Sequence, residues 1–419
     1  MRISTIQQFN SGVKGITDNY ANVTRTQEQI SSGKRILTPA DDPVATVRLL
    51  QLDQESNTIN QYKNNLTAAT NSLTQEEATL NSVNNILQRV REIAVSAGNG
   101  ALSKADRQAL ATELVAREDE LYNLFNTRNA RGEYTFGGFK SDTQPFVRNP
   151  DGSYSYAGDE GQRSIQIANS KFVAINDNGK DLFVNISNVN RVVTSATSTS
   201  GDARISLGVV EDKNAYDNTF FPRPSVGIVI GADAQTYEIV DENGDPMSPP
   251  VTGALERNGE NSYEIRYAGV AVRLDGTLTA GDTFTIERGD VSAEPGKRET
   301  RSVLESIAFL RENLQTGGDT REDKLMRRDV LAVSLDNIDN AMNNVLRVQT
   351  TLGARMNVIE STGNENAEAN QINQTVQSSL KDLDYAEALS KLSLQTVVLQ
   401  AAQQSFVKVS GLSLFNLLR

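Results

Sequence analysis

The adjacent carboxylates Asp41 and Asp42 are the residues of this chain whose types and spacing most directly suggest chemistry. They lie in SSGKRILTPADDPVA, residues 31–45, between two stretches whose apolar residues recur at helical spacing. Neighbouring carboxylates can bind a divalent metal or transfer protons. The same stretch could instead be a junction between two helices, because it combines a glycine, two prolines and an N-cap type of residue.

Positional preferences favour the junction. Gly33 can take the left-handed conformation that ends a helix, and Pro39 keeps the preceding residue extended. Asp42 stands where an N-cap belongs, and Pro43 follows at the first helical position, where its missing N–H donor costs nothing. We therefore predict that Gly33, Pro39, Asp41, Asp42 and Pro43 form an inter-domain joint and that the acid pair is not a metal site.

Composition removes most other catalytic sites. The 419 residues contain no Cys, no His and no Trp, so the usual zinc ligands, thiol nucleophiles and neutral-pH proton carriers are missing. The best enzyme hypothesis is a secreted glycosidase that uses two carboxylates, but no spacing singles out a pair. We predict no enzymatic activity, no catalytic or metal-binding residue and no cofactor.

Two acidic turns invite a calcium interpretation. NDNGKD at 176–181 and DENGDP at 241–246 lack the alternating ligands and the glutamate at position twelve of a helix-flanked calcium loop. Asn-Gly pairs between β-prone runs are typical of hairpins. We therefore predict hairpin turns at Asn178-Gly179 and Asn243-Gly244.

The net charge of −12 argues against nucleic-acid or anionic-membrane binding. Lys plus Arg against Asp plus Glu count 5 to 4 in residues 1–45, 14 to 23 in 140–297 and 4 to 3 in 375–419. Near-neutral ends suit packing against protein, and an acidic middle suits exposure to water. No secretory signal or stretch of about 18 apolar residues is present, which by itself predicts a cytosolic protein without membrane insertion.

Apolar periodicity divides the chain into helical, β-rich and helical parts. It predicts a multidomain α+β fold, in which N- and C-terminal segments form a discontinuous long-helix coiled coil and bundle around an inserted antiparallel β domain. The predicted domains are an inner coiled coil of 1–45 plus 375–419, a helical rod or bundle of 46–139 plus 298–374, and a β-rich outer domain of 140–297. Whether the outer domain has one or two subdomains is open.

The two chain ends each carry one apolar stripe. The simplest arrangement is that the two stripes pair with each other as a coiled coil. A single two-helix coiled coil would leave large apolar side chains partly exposed to solvent, which favours their burial between subunits. The predicted subunit interface comprises Ile6, Phe9, Val13, Ile16, Tyr20, Val23, Ile30, Leu389, Leu392, Leu399, Phe406, Leu412, Leu414 and Phe415.

Several motifs together resemble the bacterial flagellin family of axial proteins. They are SSGKR followed by PADDPVA, two long heptad stretches, NARGEYTFGGFKSDTQPF at 129–146, and the closing QAAQQSFVKVSGLSLFNLLR. DDP after SSG and the ending LSLFN favour the hook-filament junction members of the family, and a flagellin filament subunit is the alternative. The resemblance implies a non-catalytic structural subunit of the flagellum.

The resemblance also implies a place and partners. It implies export through the flagellar secretion channel, which replaces the cytosolic prediction with an extracellular one. It implies a homo-oligomeric ring in the flagellar axis, with the hook-associated protein FlgK on the proximal side and flagellin on the distal side. An export chaperone would hold the C-terminal stripe before secretion.

Overall fold

The structure is a computed structural model, and it describes residues 5–257, 261–289 and 298–417. Long helices occupy both ends of the chain. Helices α1 (Thr5–Ser32), α2 (Pro43–Ala97) and α3 (Lys104–Phe125) precede the strands, α4 (Lys213–Ala215) is a short turn among them, and α5 (Val303–Thr316), α6 (Arg321–Lys381) and α7 (Tyr385–Leu417) follow. Ser103 and Ser302 begin α3 and α5 with reciprocal capping boxes.

All strands of the described residues lie between the two groups of helices. They are β1 (Phe146–Arg148), β2 (Tyr154–Tyr156), β3 (Ser164–Ala168), β4 (Lys171–Ala174), β5 (Val192–Ser198), β6 (Arg204–Ile205), β7 (Val209–Val210), β8 (Ser225–Ile230), β9 (Thr236–Val240), β10 (Pro246–Ala254), β11 (Glu256–Arg257), β12 (Ser262–Tyr267), β13 (Val270–Asp275) and β14 (Thr283–Arg288). The assigned pairs are antiparallel, so the predicted fold class is confirmed.

The backbone separates into two compact units. The first falls within residues 1–66, 167–170 and 360–419, and the second within 67–166 and 171–359. In the first unit α1 pairs with α7, and the N-terminal part of α2 pairs with the C-terminal part of α6. Hydrogen bonds between Ser56 and Asn370 and from Gln377 to Asp53, both of 3.0 Å, join the latter two helices.

The helical part of the second unit has a continuous apolar core. The predicted α2 stripe from Leu73 through Leu80, Leu87 and Ala94 is fully buried. Four phenylalanines close one side of this core, and the Phe125 and Phe183 rings stack with centroids 3.9 Å apart. Burial of this kind is the main source of stability for helices whose own propensity is modest.

Two five-stranded sheets form the β-rich part of the same unit. Their orders are β10-β9-β8-β14-β5 and β11-β12-β13-β6, with β7 also pairing with β13. One cluster of buried apolar side chains draws on both sheets, including Phe284 of β14 and Val272 of β13. Alternating inward residues of two facing sheets are the usual way such a core is built.

The chain enters and leaves the two sheets at one point. The amide of Gly289 donates to the carbonyl of Arg191 at 2.9 Å, and that of Asn188 donates to Glu299 at 2.9 Å. Asn337 of α6 fastens this neck, because its side chain accepts from the Val189 amide and donates to the buried Asn188. Every polar group named here has a partner, as burial requires.

Of the two predicted Asn-Gly hairpins, one is confirmed and one is wrong. Asn243-Gly244 lies in the turn between β9 and β10, and Gly244 has the positive φ of 87° that such a turn needs. Asn178-Gly179 instead precedes a one-turn π-helix at Lys180–Val184. The side chain of Asn178 accepts from the Asp181 amide, so it begins a helical turn and the second β-prone run does not form a strand.

Candidate assembly interface

Helices α1 and α7 form an antiparallel pair. The Phe9 and Phe406 rings meet near one end with centroids 5.1 Å apart. Nearer the other end the Thr26 hydroxyl lies 2.8 Å from the side-chain oxygen of Gln395, and Thr26 is only 2% exposed. The two terminal stripes of the sequence therefore contact each other within one chain.

The pair leaves many of the predicted interface residues accessible. On α1, Ile6 is 72% exposed, and Phe9, Val13 and Tyr20 are also exposed. On α7, Leu389 is exposed. The partly buried residues are Ile16, Val23, Ile30, Leu392, Leu399 and Phe406. The backbones of Leu412, Leu414 and Phe415 belong to α7, but their side chains lie outside the described residues.

Sequence reasoning missed a second apolar face on α7. Leu394 is 65% exposed and Val397 59% exposed, and Val398 and Val407 are also open to solvent. The start of α2 adds a shorter exposed row of Val44, Val47 and Leu50. The single heptad stripe that the sequence analysis followed in α7 is the face that packs on α1. The apolar residues outside that stripe were the signal that could have revealed the second face.

The predicted joint has a defined structure in the first unit. Asp42 is the residue before α2, and its carboxylate accepts from the Ala45 amide at 2.9 Å. Asp41 accepts from the amides of Leu37 and Thr38. These bonds, with that of Thr38 the stronger influence, lower the pKa of the Asp41 carboxyl. Both acids are therefore engaged with backbone donors.

The joint also contacts the connection between α6 and α7. Gly33 has a φ of 68° and accepts from the Leu383 amide at 3.0 Å, while the Arg35 amide donates to Lys381 at 2.7 Å. Pro39 stands second in a turn closed by a bond from the Asp41 amide to the Thr38 carbonyl. The segment that follows the end of α1 is thus hydrogen-bonded to the segment that precedes the start of α7.

The polar exception in the α2 stripe is a buried acid. Glu76 is 0% exposed, accepts from the Asp177 amide with one oxygen, and has no partner for the other among the described residues. Burial, and secondarily the nearby Asp177, raise the pKa of Glu76 well above its ordinary value. Arg355 donates two hydrogen bonds of 2.9 Å to the Asp177 carboxylate, so this guanidinium is paired with Asp177 rather than with Glu76.

The described residues meet the requirements of neither a metal centre nor a bilayer crossing. In the part of the chain that the structure describes, no group of three or more acidic side chains is placed to hold a metal ion. No helix of the same residues combines the length and the apolar character that crossing a membrane needs.

Family comparisons identify the ancestry of the two helical ends. The model of the bacterial flagellin N-terminal helical region matches residues 3–141, and that of the C-terminal helical region matches residues 335–418. Together the two matches cover more than half of the chain. The chain belongs to the bacterial flagellin family.

Within the flagellin family, similar proteins include hook-associated members. Flagellar hook-associated protein 3 of Salmonella typhimurium is 26% identical, and the alignment covers 100% of both chains. The crystal structure of hook-associated protein 3 from Legionella pneumophila is 28% identical with a TM-score of 0.65, covering 79% of this chain and 98% of its own. FlgL of Xanthomonas campestris is 25% identical with a TM-score of 0.61, covering 78% and 99%.

Proposed function

We propose that the chain is a structural subunit of the bacterial flagellum that joins the end of the hook to the flagellin filament. One observation carries the proposal: the paired terminal helices α1 and α7 keep large apolar side chains exposed, among them Ile6 and Phe9 on α1 and Leu394 on α7. Monomeric soluble proteins rarely expose such continuous apolar surface. The full-length similarity to a hook-associated protein gives the assembly in which those faces would be covered.

Subunit contacts in this proposal are made by apolar burial. Leu394 and Val397 of one subunit lie against the exposed α1 residues Ile6, Phe9 and Val13 of a neighbour. At about 25 cal/mol per Å² of apolar surface, a few such side chains per contact support cooperative assembly. Each copy offers two different faces, so the contact is heterologous, and a heterologous contact forms a ring where its rotation closes. The proposal is that it closes a ring in the flagellar axis.

The three predicted domains would then form concentric layers. The inner layer is the coil of 1–45 and 375–419, the middle layer is the bundle of 46–139 and 298–374, and the outer layer is the insertion of 140–297. The acidic composition of the insertion supports its exposure to water. Gly33, Pro39, Asp41, Asp42 and Pro43 form the joint between the inner and middle layers.

The proposed partners lie along the flagellar axis. FlgK contacts the proximal side, flagellin contacts the distal side, and an export chaperone covers the C-terminal stripe before secretion. The subunit acts outside the cell and has no enzymatic activity. The absence of His and Cys from the sequence supports that last point.

A flagellin filament subunit is the second candidate. It is favoured by the flagellin of Clostridium tyrobutyricum, which is 21% identical over 94% of this chain. Deleting the gene and imaging the cells separates the two. Bare hooks with flagellin shed into the medium support the junction subunit, whereas loss of the major filament protein supports a flagellin.

Complementation with surface variants tests the interface. Leu394→Asp places a charge on the exposed face of α7, and we expect a secreted subunit that leaves the hooks bare. Val95→Asp is the matched control, because Val95 is also exposed on a helix but belongs to the second unit. Normal filaments with Leu394→Asp would contradict the assigned interface.

A further inference from the structure

The contacts between α1 and α7 are unequal in kind. Both helices carry half-buried apolar side chains, such as Ile16 and Leu399, and apolar contacts tolerate sliding of one helix past the other. Two contacts are more specific: Gly12 faces the ring of Phe406, and Thr26 faces Gln395. We propose that these two pairs fix the register of α1 against α7.

The Thr26–Gln395 pair selects register by hydrogen bonding. The Thr26 hydroxyl is 2.8 Å from Gln395 Oε1 and 3.1 Å from the Asn22 carbonyl oxygen. A hydroxyl has one hydrogen, so turning the Gln395 amide lets its Nε2 donate to Thr26 while Thr26 donates to Asn22. A slip of one heptad would place Thr26 opposite Ala388 or Ala402, which offer no side-chain partner.

The Gly12–Phe406 pair selects register by size. A Cβ atom on residue 12 would lie 2.7 Å from Cδ2 of Phe406, closer than carbon atoms approach. Phe406 therefore fits opposite a glycine at this level. The same slip in one direction would bring it against Asn19, which carries a full side chain. A partly buried polar pair and a large-to-small contact thus select the same alignment.

Register matters because the proposed interface is composite. This consequence rests on the proposed function. One face of the assembly contact comes from α1 and the other from α7, so a one-heptad slip displaces the exposed residues of one helix by about 10 Å relative to the other. A polar residue in an apolar seam commonly specifies alignment at some cost in stability.

Distance measurements on the isolated full chain test the register. The chain has no cysteine, so pairs of nitroxide labels can be attached to introduced cysteines. All four labelled positions are exposed. Labels at Lys14→Cys and Gln404→Cys report on the end of the helix pair near Phe9 and Phe406, called the open end. Labels at Glu28→Cys and Lys391→Cys report on the end near the joint. Dilution with excess unlabelled chain removes distances between copies. Each pair should give one narrow distance.

Without the Thr26–Gln395 hydrogen bond, α1 and α7 should pair in more than one register. In Thr26→Val with Gln395→Leu we expect a second, longer distance for both label pairs, because a slip of about 10 Å along the axis adds in quadrature to the separation of labels that start at the same level. Helix content should not fall. The swapped variant Thr26→Gln with Gln395→Thr should restore one distance. Thr17→Val is the control, because its exposed hydroxyl bonds to its own helix at Val13.

Gly12→Ala should broaden the open-end distance and leave the joint-end distance unchanged. Gly15→Ala is its control, since a Cβ there meets nothing within 4 Å. One unchanged distance in the Val/Leu double variant, or an unaltered open end in Gly12→Ala, would overturn the proposal. The labels report on the isolated chain, so their result does not depend on whether the chain acts at the junction.

Discussion

Buried apolar side chains follow α2 through the second unit, whereas α7 presents apolar side chains on two faces. One face of α7 packs on α1, and the other, with Leu394 and Val397, meets solvent. The stripe of α2 is covered by helices of the same chain. The comparison teaches that a heptad pattern does not decide by itself whether its apolar residues are buried: the second unit buries them within the chain, whereas the terminal pair leaves part of them exposed.

The largest expected effect comes from truncating matched leucines in the two regions. Leu87→Ala removes a side chain that is fully buried in α2 and should lower the free energy of unfolding by about 2–5 kcal/mol. Leu394→Ala should change the stability of the isolated chain by less than about 0.5 kcal/mol. Denaturant titration of both variants measures the contrast. Equal losses would mean that the exposed face of α7 is covered within one chain.

The buried acid of α2 should make the stability of the second unit depend on pH. Glu76 has a raised pKa in the folded state, so it keeps its proton while the unfolded chain releases one above about pH 4.3. The free energy of unfolding then falls by about 1.4 kcal/mol per pH unit until the folded pKa is reached. Glu76→Gln should abolish this fall and be the more stable form at pH 8.

Unfolding of both forms between pH 4 and pH 8 gives the measurement. Glu77→Gln changes the next residue, which is exposed, and serves as the control. If the two glutamine variants show the same pH dependence, the buried acid does not retain its proton. The α1–α7 pair has no buried acid among its described residues, so no comparable term is expected from it.

A smaller effect is expected at the joint. Asp42→Ala removes the side chain that accepts from the Ala45 amide, and should destabilise the first turn of α2 by about 1 kcal/mol. Faster hydrogen exchange at residues 44–50 would report it. Glu55→Ala in the same helix is the control, since it lies beyond the first turn, and comparable acceleration there would contradict a capping role.

Sequence patterns identified most of what local physics decides. The spacing of apolar residues predicted α2 and its buried stripe, and Ser103 predicted the start of α3, because periodicity and capping depend on neighbours within a few residues. The joint residues Gly33 and Asp42 could be chosen for the same reason.

What the sequence could not predict depends on distant contacts. The second face of α7 was missed because a seam pattern does not say which apolar residues meet their own chain. The prediction of a hairpin at Asn178-Gly179 was wrong for two reasons. The Asn178 side chain accepts from the Asp181 amide and starts a helical turn, and the Phe183 ring packs on Phe125 in the helical core. The carboxylate of Glu76 was seen as a break in a stripe, and its partner Asp177 lies 101 residues further along the chain.

The neck at Arg191 and Gly289 has a consequence for how this architecture can change. The two sheets form an inserted segment whose two ends are adjacent, because the chain leaves them at Gly289 beside Arg191, where it entered. An inserted segment of another size could replace the two sheets without moving α6, provided that the hydrogen bond between Asn188 and Asn337 is kept. Related proteins could therefore differ in the size of this β-rich part while the helices stay constant.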